Sequence, residues 1–319
     1  MSLGRTIKLN NGVSIPQIGF GTWQSAPGEV GRAAEEALKA GYKHIDAAYV
    51  YNNQPELAAG IKASGVPRSD IFITSKLWNT AHRVADVEKN IDETLKQLDT
   101  DYLDLLLIHW PVAFAPGDAL LPLNEDKTEV VIDLEAPGIA ATWAELVRIQ
   151  KETKKLRAIG VSNFTIEQIE TIVKATGVTP AVNQVEAHPQ AYNPDLWNYA
   201  AEKGIAITAY SPLGNNVGGT RALNAPEIKA IADKLGKTPA QVLIAWGAAK
   251  GFVVIPKSVT KERIASNFET FDLPKEDVEA ITAWGAANRN HGAVPATFKP
   301  KWPINIFNYP EEQGEKPVW

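Results

Sequence analysis

The feature that most constrains this chain is an eightfold alternation of short apolar runs with helical patterns. Runs at residues 18–21, 44–47, 71–76, 103–109, 158–162, 183–186, 206–211 and 253–256 read as strands. Between them, stretches at 30–40, 84–98, 141–153, 166–175, 194–203 and 239–249 carry apolar residues at i, i+3 and i+4 spacing. Such alternation signals parallel βα units. The run Leu105-Leu-Leu-Ile is apolar at four successive positions, as expected of a strand covered on both faces. An α/β barrel of the (β/α)8 kind accommodates all eight runs, and 319 residues fill one such domain, 1–319. The rival, an open doubly wound sheet binding a nucleotide, would want Gly-x-Gly-x-x-Gly after its first strand. Gly19-Phe-Gly-Thr-Trp does not fit that pattern.

Three segments stand outside the rhythm. Within residues 1–17, two short alternating runs flank Asn11-Gly12, a dipeptide that supplies the positive φ angles of a tight turn, so a β-hairpin cap is expected. Residues 112–138 form a 27-residue interruption after the fourth strand, a length usually reserved for functional loops. The tail, 288–319, contains five prolines together with Trp302, Phe307, Tyr309 and Trp319; it cannot be a regular helix and is expected to fold across the barrel mouth.

Composition narrows the partners. A net charge of -5 and a pI near 5.7 argue against a broad nucleic-acid or membrane surface, so any anion must be met by a local basic pocket. With no cysteine, disulfides, thiolate chemistry and cysteine-based zinc sites are excluded. The first residues lack an apolar signal region and no window approaches a membrane span, which makes the cytosol the expected location.

In barrels the chemistry sits at the carboxyl ends of the strands. Asp46 follows the second strand with Tyr51 five residues on, Lys76 ends the third, and His109 ends the fourth. A Lys–Asp pair beside a phenol would create a field favouring phenolate and lower the tyrosine pKa, leaving Tyr51 able to protonate a developing alkoxide. A neutral His109 would orient the same oxygen. On the opposite side, the loops after strands seven and eight often build a phosphate site. The second of these is basic in an acidic chain, with Lys257, Lys261 and Arg263 flanking Ser258 and Thr260 at a helix start.

Five ordered segments now carry a resemblance: Gly41-Tyr-Lys-His-Ile-Asp-Ala-Ala-Tyr-Val-Tyr, Ile108-His-Trp-Pro, Ile159-Gly-Val-Ser-Asn-Phe, Gln184-Val-Glu-Ala-His-Pro and Ile255-Pro-Lys-Ser. From residue 7 to at least 267 the chain resembles the aldo-keto reductase family, and most of all its fungal aldehyde reductase and glycerol dehydrogenase type. The resemblance implies an oxidoreductase that moves hydride from NADPH to an aldehyde or ketone, a small-molecule carbonyl partner, and a monomer. No metal is implied. It implies a tetrad of Asp46, Tyr51, Lys76 and His109. Ser162, Asn163 and Gln184 would hold the nicotinamide carboxamide, with Tyr210 stacked on its ring. Lys257, Ser258 and Arg263 would take the 2'-phosphate and Asn267 would contact adenine, while Gly21, Thr22, Trp23, Ser211, Leu213, Ile255, Val259 and Thr260 would complete the cofactor groove. Trp23, Tyr51, Trp78, His109, Trp110, Phe114 and Trp302 would line the substrate pocket.

There are departures from the family pattern. Gln24 and the run Asn215-Asn-Val-Gly-Gly replace a lysine and an acid that latch over the cofactor in many relatives. Faster NADP+ release than in latched relatives is expected, and stopped-flow release slower than turnover would contradict it. Ser266 stands where relatives often place a glutamate facing adenine. Two other readings compete. A metal-dependent hydrolase could use His44, Asp46, His109 and Glu186, although Lys76 would set a cation beside the metal. A non-catalytic module could sense bound NADP(H), although a full tetrad and aromatic residues favour turnover.

Overall fold

The computed structural model describes residues 4–214, 221–317 and 319. A two-stranded hairpin, β1 (Thr6–Lys8) and β2 (Ser14–Pro16), precedes the repeating units. These begin β3 (Phe20–Gly21), α1 (Val30–Ala40), β4 (His44–Asp46), α2 (Gln54–Ser64), β5 (Phe72–Leu77), α3 (Val84–Gln97) and β6 (Leu103–Ile108). They continue with α4 (Ile139–Glu152), β7 (Leu156–Ser162), α5 (Ile166–Thr176), β8 (Val182–Glu186), α6 (Pro194–Lys203) and β9 (Ala206–Tyr210). After these come α7 (Pro226–Leu235), α8 (Pro239–Ala249), β10 (Val253–Val254), α9 (Lys261–Phe268) and α10 (Lys275–Ala287).

Among the described residues β3 to β10 form one eight-stranded sheet in sequential order, each neighbour parallel. It closes on itself: Ile18 bridges Val254, and the Gly19 and Gly21 N–H groups donate to the carbonyls of Val254 at 2.9 Å and Pro256 at 3.0 Å. The (β/α)8 expectation holds. The last strand is shorter than expected because Pro256 has no N–H to continue the ladder.

Period-two alternation sorts the strand side chains into two cores. Leu106 and Ile108 of β6 face outward into the layer shared with the helices, whereas Leu105 and Leu107 face inward with Phe72, Val182 and Val253. Each such fully buried aliphatic contributes about 1.5–3 kcal/mol. Local signals mark the helix starts: Thr165 with Gln168 and Thr238 with Gln241 form capping boxes at α5 and α8.

The hairpin plugs the barrel floor, where Leu9 and Ile15 join the inward cluster at the starts of β5, β8 and β10. Its turn differs from expectation. Gly12 takes a positive φ of 88° and Asn11 does not, and the bonds Gly12 N–H to Leu9 at 2.9 Å and Leu9 N–H to Val13 at 2.8 Å give a turn with a glycine bulge.

At the opposite end the tail packs onto the long loop after β6. Trp302, Ile304 and Ile306 bury against Trp78, Trp110, Val112 and Phe114, and the Lys301 carbonyl accepts the Val130 N–H at 2.8 Å. The expected fold of the tail across the mouth is what the chain adopts. Among the described residues, no helix is long and apolar enough to cross a membrane.

Candidate active site

Asp46 is the last residue of β4, Lys76 lies one position before the end of β5, and both side chains point into the barrel, almost without exposure. The Lys76 ammonium donates to Asp46 Oδ1 at 2.6 Å and to the Ala47 carbonyl at 2.8 Å, and reaches the Tyr51 hydroxyl at 3.5 Å. Tyr51 ends the single helical turn Tyr49–Tyr51, whose ring meets that of His109 edge-on at 5.9 Å between centroids. The four strand-end residues therefore converge.

Their electrostatics correct one expectation. Burial, then the charge of Asp46, holds the Tyr51 phenol well above its ordinary pKa of 10.0 rather than lowering it. The reason is geometric: the Lys76 charge is spent on Asp46, nearer to it than the phenol, while burial penalises phenolate. Burial also lowers Lys76, although Asp46 opposes the shift. For His109, burial, followed by the Lys76 charge and His82, pushes the pKa well below 6.5 and leaves a neutral imidazole.

The residues expected around a nicotinamide are joined to this group. Gln184 donates its amide to Asp46 Oδ2 at 2.7 Å, and the Ser162 hydroxyl donates to the Gln184 carbonyl at 2.8 Å. Asn163, held at a positive φ of 63°, donates to the His109 carbonyl at 3.0 Å, and its Oδ1 accepts the Tyr210 hydroxyl at 2.7 Å, which sets the ring's orientation. Thr22 is pinned to the Asp46 carbonyl at 2.8 Å. A side chain at Gly21 would put its Cβ 3.1 Å from the Ile255 carbonyl, so the groove floor admits only glycine comfortably.

Farther along, Ser258, three residues before α9, and Asn267, in its last turn, are buried, while Lys261 and Arg263 are exposed on the helix. Ser258 Oγ accepts the Thr260 N–H at 3.1 Å, and the Lys257 ammonium donates to the Gln24 carbonyl at 3.0 Å. Three cations, a hydroxyl and a helix start form a donor set suited to a phosphate monoester, and the strand-end amides suit a carboxamide. The residues present fit a phosphorylated nicotinamide dinucleotide. Asn215 and the four residues after it, where the missing latch was expected, lie outside the described residues.

The expected aromatic wall is divided. Trp78, Trp110, Phe114 and Trp302 pack on one another at centroid distances from 4.7 to 6.1 Å, whereas Trp23 stands apart, 54% exposed. A cavity of about 810 Å³ lies instead beside Asn163 and Tyr210, walled by Glu186, Tyr192, Arg289 and Tyr309. The sequence placed Glu186 only in the rival metal reading and Tyr309 only among the tail aromatics, and gave Tyr192 and Arg289 no role, since only the tail's path brings Arg289 and Tyr309 to the end of β8. Glu186 ties that path down by accepting the Gly292 and Ala293 N–H groups, both at 2.9 Å. The metal reading finds no support in the geometry: His44 bonds Thr74 and Asp46 is taken by Lys76 and Gln184, and among the described residues no three His, Cys, Asp or Glu side chains gather as ligands.

Comparison with known proteins gives the same result. The chain is 52% identical over 326 residues to D/L-glyceraldehyde reductase of Hypocrea jecorina, covering 98% of this chain and 97% of that protein. It is 42% identical over 285 residues to glycerol 2-dehydrogenase (NADP(+)) of Saccharomyces cerevisiae, covering 87% and 89%. The solved aldose reductase of Schistosoma japonicum superposes with a TM-score of 0.84 at 41% identity, over 91% of this chain and 94% of that one. Residues 17–286 match the Aldo/keto reductase family, and with a closed eight-stranded barrel carrying Asp46, Tyr51, Lys76 and His109 at one mouth, the chain belongs to that family.

Proposed function

We propose that this protein reduces aldehydes and ketones to alcohols with NADPH, with Tyr51 as the proton donor. The observation that carries the reading is the phenol of Tyr51 set 3.5 Å from a buried Lys76 that is itself paired to Asp46 at 2.6 Å. Bound in the groove, the dihydronicotinamide would supply the hydride. Ser162, Asn163 and Gln184 would hold its carboxamide and Tyr210 its ring face, while Lys257, Ser258 and Arg263 would bind the 2'-phosphate.

At neutral pH Tyr51 carries its proton, because burial raises its pKa, and so begins the reaction as a loaded acid. As charge grows on the carbonyl oxygen, Tyr51 gives up that proton. The Lys76 ammonium stabilises the phenolate left behind, and its own lowered pKa makes it the source of the replacement proton. Neutral His109 donates a hydrogen bond to the same oxygen and fixes its direction. Run in reverse, the same groups would oxidise an alcohol.

The names of the relatives, a glyceraldehyde reductase and a glycerol 2-dehydrogenase (NADP(+)), support small hydroxyaldehydes as substrates and NADP(H) as the cofactor. A cytosolic monomer is part of the proposal, in keeping with the net charge of -5. The test follows NADPH consumption with glyceraldehyde and with an aryl aldehyde, for wild type and Tyr51→Phe, with NADH in a third arm. Turnover that prefers NADPH, lost by roughly 100-fold or more in the variant with cofactor affinity retained, supports the reading. An active Tyr51→Phe overturns the assigned acid, and a wild type that binds NADPH but reduces nothing overturns the enzyme.

A further inference from the structure

Three side chains beside the mouth carry buried polar atoms with no hydrogen-bond partner among the described residues: Nδ1 of His109, Nε2 of His82, and both Oδ1 and Nδ2 of Asn79. The residues are 8%, 3% and 0% exposed. Asn79 opens the single helical turn Asn79–Ala81 that follows β5, and His82 caps it. That turn is tied to the strand end bearing His109. The His109 N–H donates to the Leu77 carbonyl at 3.1 Å, the Asn79 carbonyl accepts the Phe114 N–H at 2.9 Å, and the ring of Trp78, the residue before Asn79, meets the His109 ring at 5.2 Å between centroids.

Buried polar atoms almost always have partners, protein or solvent. A polar site offering two to four such partners is what an ordered buried water occupies. We propose that His82 and Asn79 position His109 through a shared buried water, which donates to His109 Nδ1 and so keeps the proton on Nε2. The proposal rests on the reading of His109 as the group that faces the substrate oxygen. A histidine's tautomer is set by the hydrogen bond its other nitrogen makes. With Nδ1 accepting, Nε2 must carry the hydrogen and can donate it to a carbonyl oxygen. Were Nδ1 protonated, Nε2 would turn a lone pair toward that oxygen and repel it. The Asn79 amide offers the water a donor and an acceptor, and the neutral His82 ring offers a further partner. His82 and Asn79 are thus positioning residues, acting through His109 and not on the substrate.

The test reads the tautomer directly. Wild type, His82→Leu, Asn79→Leu and His82→Gln are labelled with the heavy nitrogen isotope in histidine. Long-range nitrogen–proton correlations are recorded without cofactor, and His109 is assigned from the spectrum of His109→Gln. The proposal expects the Nε2–H form in wild type, a mixed or Nδ1–H form in His82→Leu or Asn79→Leu, and recovery in His82→Gln. It also expects kcat to fall on the order of 10- to 100-fold in the leucine variants, the range that outer partners of metal-bound histidines command. KM and NADPH affinity should hold within about twofold, because uniform binding is untouched. Should His82→Leu fail to fold, Asn79→Leu carries the measurement. An Nδ1–H wild type, leucine variants with the wild-type tautomer, or a shifted tautomer with unchanged kcat each overturn it. The spectrum needs no turnover, so an enzyme that reduces nothing would sink the reductase reading without deciding this one.

Discussion

Gln184 and Asp46 share a hydrogen bond of 2.7 Å on the carboxylate oxygen that Lys76 does not use. One buried carboxylate therefore joins Lys76, beside the proposed proton donor, to the residues proposed to hold the nicotinamide carboxamide, and fixes which face of the Gln184 amide remains free to accept. Removing the cation that balances it should be costly. Lys76→Met should lose about 3–5 kcal/mol of stability by urea unfolding, because an uncompensated carboxylate is left buried. Pairing it with Asp46→Asn should restore most of that loss while leaving the enzyme inactive. A single variant as stable as wild type would show that the pair is not buried as described.

Acid should destabilise the fold through its neutral histidines. Burial lowers His44 from 6.5 to about 4 and His82 to about 3, and His109 moves the same way. Since the unfolded chain takes up protons first, stability is complete above pH 6.5 and falls as pH drops toward these folded values. At about pH 5 the loss should approach ~2 kcal/mol for His44 and the same for His82. Urea midpoints that stay flat between neutral pH and about pH 5 would contradict this.

Selectivity for the phosphorylated cofactor should reside in Lys257, four residues before α9, and Arg263, in its first turn. Arg263→Ala should weaken NADPH binding by roughly 10- to 150-fold, the worth of one charged hydrogen bond, and leave NADH unchanged. Lys257→Met should do the same and also release the Gln24 carbonyl it holds at 3.0 Å. Fluorescence titration with both cofactors separates the outcomes; an equal loss for the two would move the phosphate site elsewhere.

Beyond the hold of Glu186, the far part of the tail should be anchored by a second acid. Glu312, fully buried, accepts the N–H groups of Ile306 and Phe307 at 2.9 Å and Tyr309 at 3.0 Å. Glu312→Ala should free the segment carrying Trp302 and raise KM for substrate several-fold, with NADPH affinity retained. Limited proteolysis should cut the variant within 288–319 and spare the barrel. Equal resistance in both proteins would refute the anchor.

What was legible in the sequence follows from how each feature is encoded. The barrel was, because every strand and helix declares itself by its own period, and Asp46, Lys76 and His109 were, because strand ends are readable once strands are. Tyr51 followed from its distance to Asp46, but the direction of its pKa did not. That depends on Lys76 lying 2.6 Å from Asp46 and 3.5 Å from the phenol, a comparison no spacing contains. Asn11 offered a positive φ that only Gly12 took up. Trp78, Trp110 and Trp302 announced an aromatic site, yet whether rings line a cavity or fill it is a matter of tertiary packing. Glu186 and Arg289 became neighbours of a cavity only because the tail returns over β8.

The hairpin that plugs the floor puts β1 and the reaction mouth at opposite ends of the barrel. A surface tether or fusion partner joined at the amino terminus would hold the molecule mouth outward. The same attachment at the carboxyl terminus would lie beside Gly138 and the tail that walls the cavity. Immobilised catalysts made the two ways should differ in substrate access while sharing every catalytic residue.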